Sequence, residues 1–323
     1  MTQTILVTGA NGHIGHGLIP VLKTKGHTII SIDTVPLDSE LAQHVDEQIT
    51  GSISDQEIVN NAVTEVDTIF HLASTLALSS ELNPEEAHDV NATGMVHILK
   101  AALSASSKNG KTIQIIFPSS IAVYSLPNAE IRNGVLITED EYVGNPQTIY
   151  GITKAYCESL GSYYSDRYEL LAEKAPGKID FRALRLPGII AEVDDKETMG
   201  KYAGLTMIHT PAEGEGFEVY IKPETVLPYI ARTDAVNALV QLSEAPKEKL
   251  TRRIYNVSGF TASTKELEGM IGKAFPDSQA SENFDIKRQS IVDTWPQAID
   301  DSKAREDWGW KPAVEAITNF VED

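Results

Sequence analysis

Tyr150 and Lys154 are the pair of residues in this sequence with the clearest potential for chemistry. Their spacing places a phenol and an ammonium about 6 Å apart along a helix, on one face. A free phenol has a pKa near 10, and nearby positive charge lowers it. A shift of about 2 units corresponds to about 2.7 kcal/mol, the size of a typical general-base contribution. The pair predicts proton transfer, although the same spacing also occurs by chance on exposed helices.

A second group of hydroxyls follows an apolar run that ends at Pro118. Ser119 and Ser120 come directly after this predicted strand, and open α/β sheets bind ligands at the carboxyl ends of their strands. We expect Ser120 to hold a reacting hydroxyl, the alternative being a cap of the following turn. Ser119 is a further candidate for contact with the substrate.

A glycine-rich turn directly follows the first predicted strand, where Gly9, Gly12 and Gly15 open a helical segment. Such glycines allow a tight turn, close approach of a pyrophosphate and close packing of the helix on the strand. Asp33 ends the second strand, where an acid binds a ribose diol and repels a 2′-phosphate. The pattern predicts NAD rather than NADP, the alternative being a turn selected for packing alone. Asp55 is predicted either to meet the adenine or to cap a helix.

The elements that position these residues alternate between short β-branched runs and helical patterns. This rhythm predicts an α/β fold of the Rossmann type, a doubly wound parallel sheet covered by helices on both faces. Residues 1–188 are predicted to form the NAD-binding domain and 189–323 a smaller substrate lobe, with segments near 225–260 returning to the sheet. Pro20 is expected to bend the first helix. The apolar runs are Thr4 to Val7, Thr28 to Ile32, Asp67 to Leu72, Thr112 to Phe117 and Ile179 to Leu186, and the helical patterns are Ile14 to Lys25, Asp55 to Thr64, Pro84 to Ser107 and Ile149 to Tyr168.

These motifs, with His71 to Ser74 and Arg185 to Gly188, resemble the extended short-chain dehydrogenase/reductase family, also called the NAD-dependent epimerase/dehydratase family. The resemblance implies that Tyr150 is the acid/base, that Lys154 binds the nicotinamide ribose and that Ser120 contacts the substrate oxygen. It also implies a homodimer through the helices near 84–107 and 149–168. The implied NAD-binding residues are Gly9, Asn11, Gly12, His13, Ile14, Gly15, Asp33, Ser52, Ile53, Leu72, Ala73, Ser74, Asn91, Tyr150, Lys154, Leu186 and Gly188. The implied substrate-binding residues are Ser74, Leu76, Ser119, Ser120, Tyr150, Ile189 and Thr198.

Within that family, the C-terminal part is similar to the epimerase-like L-threonine 3-dehydrogenases. The segments that carry this similarity are Phe284 to Gln289, Asp293 to Pro296, Asp300 to Arg305 and Asp307 to Trp310. The implied reaction is oxidation of the C3 hydroxyl of L-threonine, or of a close 3-hydroxy compound, with NAD. Two segments depart from the usual pattern: 74–84 lacks glycines, and 197–203 carries Lys201 where a substrate ammonium would favour an acid. A nucleotide-sugar epimerase or dehydratase and a non-catalytic NAD-sensing regulator are the alternatives.

Composition excludes several other classes of protein. The chain has 323 residues, 41% of them hydrophobic, and a formal charge of −19 that disfavours nucleic acid and anionic membranes. The single cysteine, Cys157, favours a reducing cytoplasm, and no signal segment or membrane span is expected. The histidines and the cysteine form no set with zinc spacing, so no metal is expected. A small-molecule substrate is the expected partner.

Overall fold

The computed structural model describes residues 2–128, 131–132, 135–168, 177–190, 208–209, 217–274 and 280–317. The chain forms two compact units, each assembled from three segments. The first unit comprises Met1–Ser119, Thr153–Leu184 and Leu239–Ile254, and the second comprises Ser120–Ile152, Arg185–Ala238 and Tyr255–Asp323. The predicted domain division at residue 188 stays a prediction.

Seven of the strands in the described residues form one sheet. The bounds of the strands are β1 Thr4–Thr8, β2 Thr28–Asp33, β3 Glu47–Thr50, β4 Thr68–His71, β5 Thr112–Ser120, β6 Lys178–Leu186, β7 Gly188–Ile190, β8 Ile208–His209, β9 Phe217–Val219, β10 Val226–Ala231, β11 Ile254–Asn256, β12 Phe260–Ser263 and β13 Ala280–Glu282. The seven-stranded sheet has the order β11-β6-β5-β4-β1-β2-β3. β1 pairs in parallel with β2 and β4, β2 with β3, and β4 with β5. Their carboxyl ends therefore lie at one edge of the sheet.

The helices follow the strands in the alternating order that a doubly wound sheet requires. Their bounds are α1 His13–Thr24, α2 Ser39–Ala42, α3 Gln56–Ala62, α4 Ala77–Leu82, α5 Pro84–Ala87, α6 Gly94–Asn109, α7 Ile149–Asp166, α8 Arg232–Glu244, α9 Thr264–Ala274, α10 Ile286–Val292 and α11 Ser302–Trp308, with a π-helical turn at His88–Thr93 and 3₁₀ turns at Ile121–Val123 and Lys247–Lys249. The predicted Rossmann-type α/β fold is confirmed. Pro20 lies inside α1, which continues beyond it to Thr24.

The core of the first unit lies between the sheet and its helices. Leu6, Ile69, Leu99, Ile115 and Phe181 belong to one buried cluster that joins strands to α6. β1 and β4 are buried at nearly every position, as expected for strands covered on both faces. This packing fixes the edge where the strands end and the candidate site residues begin.

The second unit contains two three-stranded sheets, ordered β12-β10-β7 and β13-β9-β8. Arg132 is buried and donates hydrogen bonds to the carbonyl oxygens of Trp295 and Val226. Trp310 is also buried, and its indole nitrogen donates to Asp301. Trp310 therefore packs within this unit. Across the described residues, the helices are all too short or too polar to cross a membrane.

Candidate active site

The glycine-rich turn after β1 depends on glycine at two positions. Gly9 has φ +67°, and a Cβ there would lie 2.6 Å from the Cα of Ala73. A Cβ on Gly15 would lie 2.0 Å from the carbonyl oxygen of Ala10. Both contacts are far shorter than real Cβ contacts, so Gly9 allows the loop after β4 to lie close to the turn and Gly15 allows α1 to begin close against the end of β1. The N-terminus of α1 thereby faces the edge where the strands end, as a pyrophosphate-binding turn requires.

Asp33 lies at the end of β2 beside this turn. Its Oδ2 accepts a hydrogen bond from the backbone nitrogen of Asn11 at 2.8 Å, and its Oδ1 accepts one from Val35 at 3.2 Å. Asn11 Oδ1 is buried and has no hydrogen-bond partner within the described residues. An unsatisfied buried acceptor beside a fixed carboxylate suits a ligand that donates hydrogen bonds, and the ribose of NAD does so. The residues present therefore fit the cofactor.

The loops after β3 and β4 contain other predicted cofactor residues. Ala73 donates its backbone N–H to Thr8 Oγ1 at 3.2 Å, which ties the loop after β4 to the end of β1. Ser52 shares a hydrogen bond with Ser54 at 2.7 Å, and Ile53 is buried. Asp55 accepts hydrogen bonds from Glu57 and Ile58, which supports the capping alternative for that residue.

Asn91 lies in the π-helical turn and holds the loop after β4. Its Oδ1 accepts from the Thr75 nitrogen at 2.8 Å and from Ser74 Oγ at 3.0 Å, while its Nδ2 donates to Thr153 Oγ1 at 3.1 Å. The predicted helix Pro84 to Ser107 is thus interrupted by the π-helical turn. In this turn Asn91 contacts both the loop after β4 and α7. Such turns often occur at functional sites.

Lys154 is buried on α7, and only 4% of its surface is exposed. Its Nζ donates to the carbonyl oxygen of Pro118 at 2.8 Å and lies 4.5 Å from the centre of the Phe117 ring. Burial lowers the pKa of Lys154 to about 8, while the neighbouring Cys157 and Glu158 oppose this shift. At pH 7 the side chain is therefore mostly an ammonium.

Ser120 and Tyr150 come together in the second unit. The two side chains are hydrogen-bonded, and Ser120 Oγ also accepts from the Ala122 nitrogen at 3.1 Å. Gly151 permits this approach, because a Cβ there would lie 2.2 Å from the Ala122 carbonyl oxygen. Thr148 caps α7 by accepting from the Gly151 nitrogen at 3.0 Å. The contact with Ala122 is the turn cap that the sequence offered as one alternative, and the contact of Ser120 with a substrate hydroxyl stays a prediction.

The pKa of Tyr150 is raised, whereas the spacing to Lys154 alone indicated that it would be lowered. Burial raises the pKa of Tyr150 to about 12, and the hydrogen bond with Ser120 opposes this shift. The spacing argument considered charge alone, whereas removing a phenol from water favours its neutral form. α7 runs without a break through both residues, so they lie one helical turn apart.

The remaining predicted residues have varied surroundings. Ser119 Oγ donates to Glu158 Oε1 at 2.5 Å. Gly188 starts β7, and a Cβ there would lie 2.7 Å from the Tyr229 ring. Leu186 is buried at the end of β6, Ile189 is half-buried in β7, Leu76 is exposed before α4, and His13 and Ile14 begin α1. Thr198, Lys201 and the whole segment 197–203 lie outside the described residues.

Three polar residues of this region were not predicted as site residues. His71 is buried at the end of β4 and shares a 2.9 Å hydrogen bond with Thr8 Oγ1. Thr153 and Glu158 are buried on the same helix as Lys154. The one signal in the sequence is that Glu158 follows Lys154 by four residues, which places both on one face of the helix.

The fold and these residues define an NAD-binding α/β enzyme with a Ser, Tyr and Lys set. The model of the NAD dependent epimerase/dehydratase family matches residues 5–258, and the chain belongs to this family. A mitochondrial L-threonine 3-dehydrogenase of Bos taurus is 34% identical over 317 residues, covering 96% of this chain and 78% of the relative.

Solved structures give the same picture. An L-threonine dehydrogenase from Phytophthora infestans superimposes with a TM-score of 0.75 at 29% identity, covering 99% of this chain and 97% of the other. A monomeric L-threonine 3-dehydrogenase from a metagenome has a TM-score of 0.77 at 30% identity, covering 98% and 97%. The predicted family, fold and cofactor are confirmed by these comparisons.

Proposed function

We propose that this enzyme oxidises the C3 hydroxyl of L-threonine, or of a close 3-hydroxy compound, to 2-amino-3-oxobutyrate or its analogue. The observation that carries the proposal is the hydrogen bond between Ser120 and Tyr150 where β5 and the start of α7 meet. The choice of threonine is supported by the bovine relative, whose similarity extends over 96% of the chain.

In this proposal each residue of the candidate site has a separate role. Ser120 holds the substrate hydroxyl, and Tyr150 accepts its proton as the carbonyl forms. Lys154 binds the nicotinamide ribose, and Asp33 and Asn11 bind the adenosine ribose. A bound NAD would supply the acceptor for the hydride that leaves C3, together with a positive charge. Burial opposes ionisation of Tyr150. The positive charge of the nicotinamide would oppose this effect and favour the phenolate.

The test is formation of NADH from NAD with L-threonine, L-serine, 3-hydroxybutyrate and UDP-sugars. We expect turnover with L-threonine or a close 3-hydroxy compound and none with UDP-sugars. Activity on UDP-sugars alone would replace the proposal with nucleotide-sugar chemistry. Binding of NAD without turnover of any compound would favour a sensing role instead.

A further inference from the structure

Two polar contacts join the end of β5 to α7 in the first unit. Lys154 Nζ donates to the carbonyl oxygen of Pro118 at 2.8 Å, and Ser119 Oγ donates to Glu158 Oε1 at 2.5 Å. Successive strand residues are thus held by helix residues one turn apart. The Glu158 side chain is as well enclosed as that of Lys154, since the residue is only 2% exposed.

Such burial needs a physical reason, because removing a charge from water is costly unless it is compensated. The groups that act electrostatically on Lys154 come from its own helix and from β4. Burial lowers the pKa of His71 to about 3, so the imidazole is neutral at pH 7. Burial raises the pKa of Cys157 to about 12, so the thiol is neutral too. Glu158 remains as the group whose negative charge favours the Lys154 ammonium.

Tyr150, one turn before Lys154, does not change this balance, because burial raises its pKa to about 12 and keeps the phenol neutral at pH 7. The Phe117 ring lies 4.5 Å from Nζ and offers the face of its π system. That contact also favours a cation but carries no net charge. Glu158 is thus an anion on the same helix that stabilises the charged form of Lys154.

We propose that Glu158 is a positioning residue of the dehydrogenase: it keeps Lys154 charged and, through Ser119, fixes the strand end that leads into Ser120. The inference deepens the proposed function, since it rests on the role of Lys154 in holding the nicotinamide ribose. Glu158 touches neither substrate nor cofactor in this proposal.

The direct test measures the pKa of Lys154 by a ¹³Cε NMR titration of labelled lysines, with Lys154→Arg identifying the resonance. In Glu158→Gln the pKa should fall by at least about one unit from the wild-type value of about 8. Glu158→Asp should recover part of the shift, because it restores the charge. Glu86→Gln makes the same chemical change at an exposed position and should leave the titration unaltered. An unchanged Lys154 titration in Glu158→Gln would overturn the proposal.

Affinity for NAD gives a second readout. At pH 8 a fall of one unit reduces the charged fraction of Lys154 from about one half to about one eleventh, so NAD should bind about fivefold more weakly to Glu158→Gln than to wild type. At pH 6 the two proteins should differ little. An equal loss of affinity at both pH values would indicate a merely structural effect. It would overturn the proposal that Glu158 keeps Lys154 charged.

Ser119→Ala tests the strand contact separately and covers the case in which Glu158→Gln does not fold. It removes one hydrogen bond and leaves the carboxylate, so the Lys154 titration should stay near wild type while kcat falls. Ser119→Thr should restore kcat, because the hydroxyl is regained. Wild-type kcat in Ser119→Ala would contradict the role of this contact. Because the NMR titration requires no substrate, a failure of the proposed threonine activity leaves its outcome interpretable.

Discussion

At the scale of single residues, burial favours the neutral form of the Tyr150 phenol. With a pKa of about 12, only about one phenol in 100,000 is ionised at pH 7. To accept a proton from the substrate, Tyr150 must first become a phenolate, and this negative charge needs stabilisation. Ser120 supplies one hydrogen bond to the Tyr150 oxygen. The positive charge of a bound NAD would act in the same direction.

Tyr150→Phe tests this role while preserving the ring. We expect turnover to fall at least about a hundredfold and NAD affinity to change little, because Lys154 and Asp33 remain. Stopped-flow or steady-state NADH formation and a binding titration measure the two quantities.

Tyr156→Phe is the matched control for that variant, since Tyr156 lies on the same helix and is 46% exposed. It should behave as wild type in both assays. Turnover of Tyr150→Phe within a few-fold of wild type would remove the phenol from the proposed chemistry.

At the scale of elements, the glycine turn shows how backbone packing prepares the cofactor end of the sheet. Gly15 lies in the first turn of α1, and the absence of a side chain lets the helix approach the Ala10 carbonyl. The helix could not start at this distance with any other residue. Its position in turn fixes the backbone N–H groups that face a pyrophosphate.

Gly15→Ala should therefore destabilise the protein by at least about 2 kcal/mol, because the added methyl overlaps a backbone oxygen that cannot rotate away. Urea unfolding gives the free energy, and NAD titration should show weaker binding. Gly269→Ala is the control: it lies in α9 with open space around it, where alanine favours the helix by about 1 kcal/mol. Equal stability of Gly15→Ala and wild type would refute the packing argument.

Most elements were predictable because their signals are local. Strand alternation with helical periodicity indicated β1, β2, β4, β5, β6, α1 and α7 within a few residues of their bounds. The π-helical turn at His88–Thr93 was not predictable, since it leaves the apolar spacing nearly intact. The roles of His71 and Glu158 were also hidden, because the burial of a polar residue is decided by distant partners such as Thr8 and Ser119. For the same reason the burial that raises the pKa of Tyr150 could not be read from its spacing to Lys154.

At the scale of the whole molecule, exposed apolar side chains on α7 are relevant to the predicted homodimer. α7 exposes Ile152, Tyr156 and Tyr163 along one face. The predicted homodimer through α7 and the segment near 84–107 stays a prediction, and one structural neighbour is described as monomeric. The predicted cytoplasmic location likewise stays a prediction.

The stability of the whole protein against acid should carry the signature of one buried imidazole. Burial, together with the positive charge of Lys154, lowers the pKa of His71 to about 3, whereas an unfolded histidine has a pKa near 6.5. Between these values the unfolded chain binds more protons than the folded one, so the free energy of unfolding rises with pH across this window. Each bound proton contributes a slope of about 1.4 kcal/mol per pH unit.

Comparison of wild type with His71→Gln isolates this contribution from that of the many carboxylates, which titrate in both proteins. When the pH is lowered from 6.5 to 4.5, wild type should lose about 2 kcal/mol more of its unfolding free energy than the variant does. His88→Gln, at an exposed position, should show the wild-type dependence on pH. Urea unfolding at several pH values measures these differences, and parallel curves for wild type and His71→Gln would show that the imidazole gains its proton without unfolding the chain.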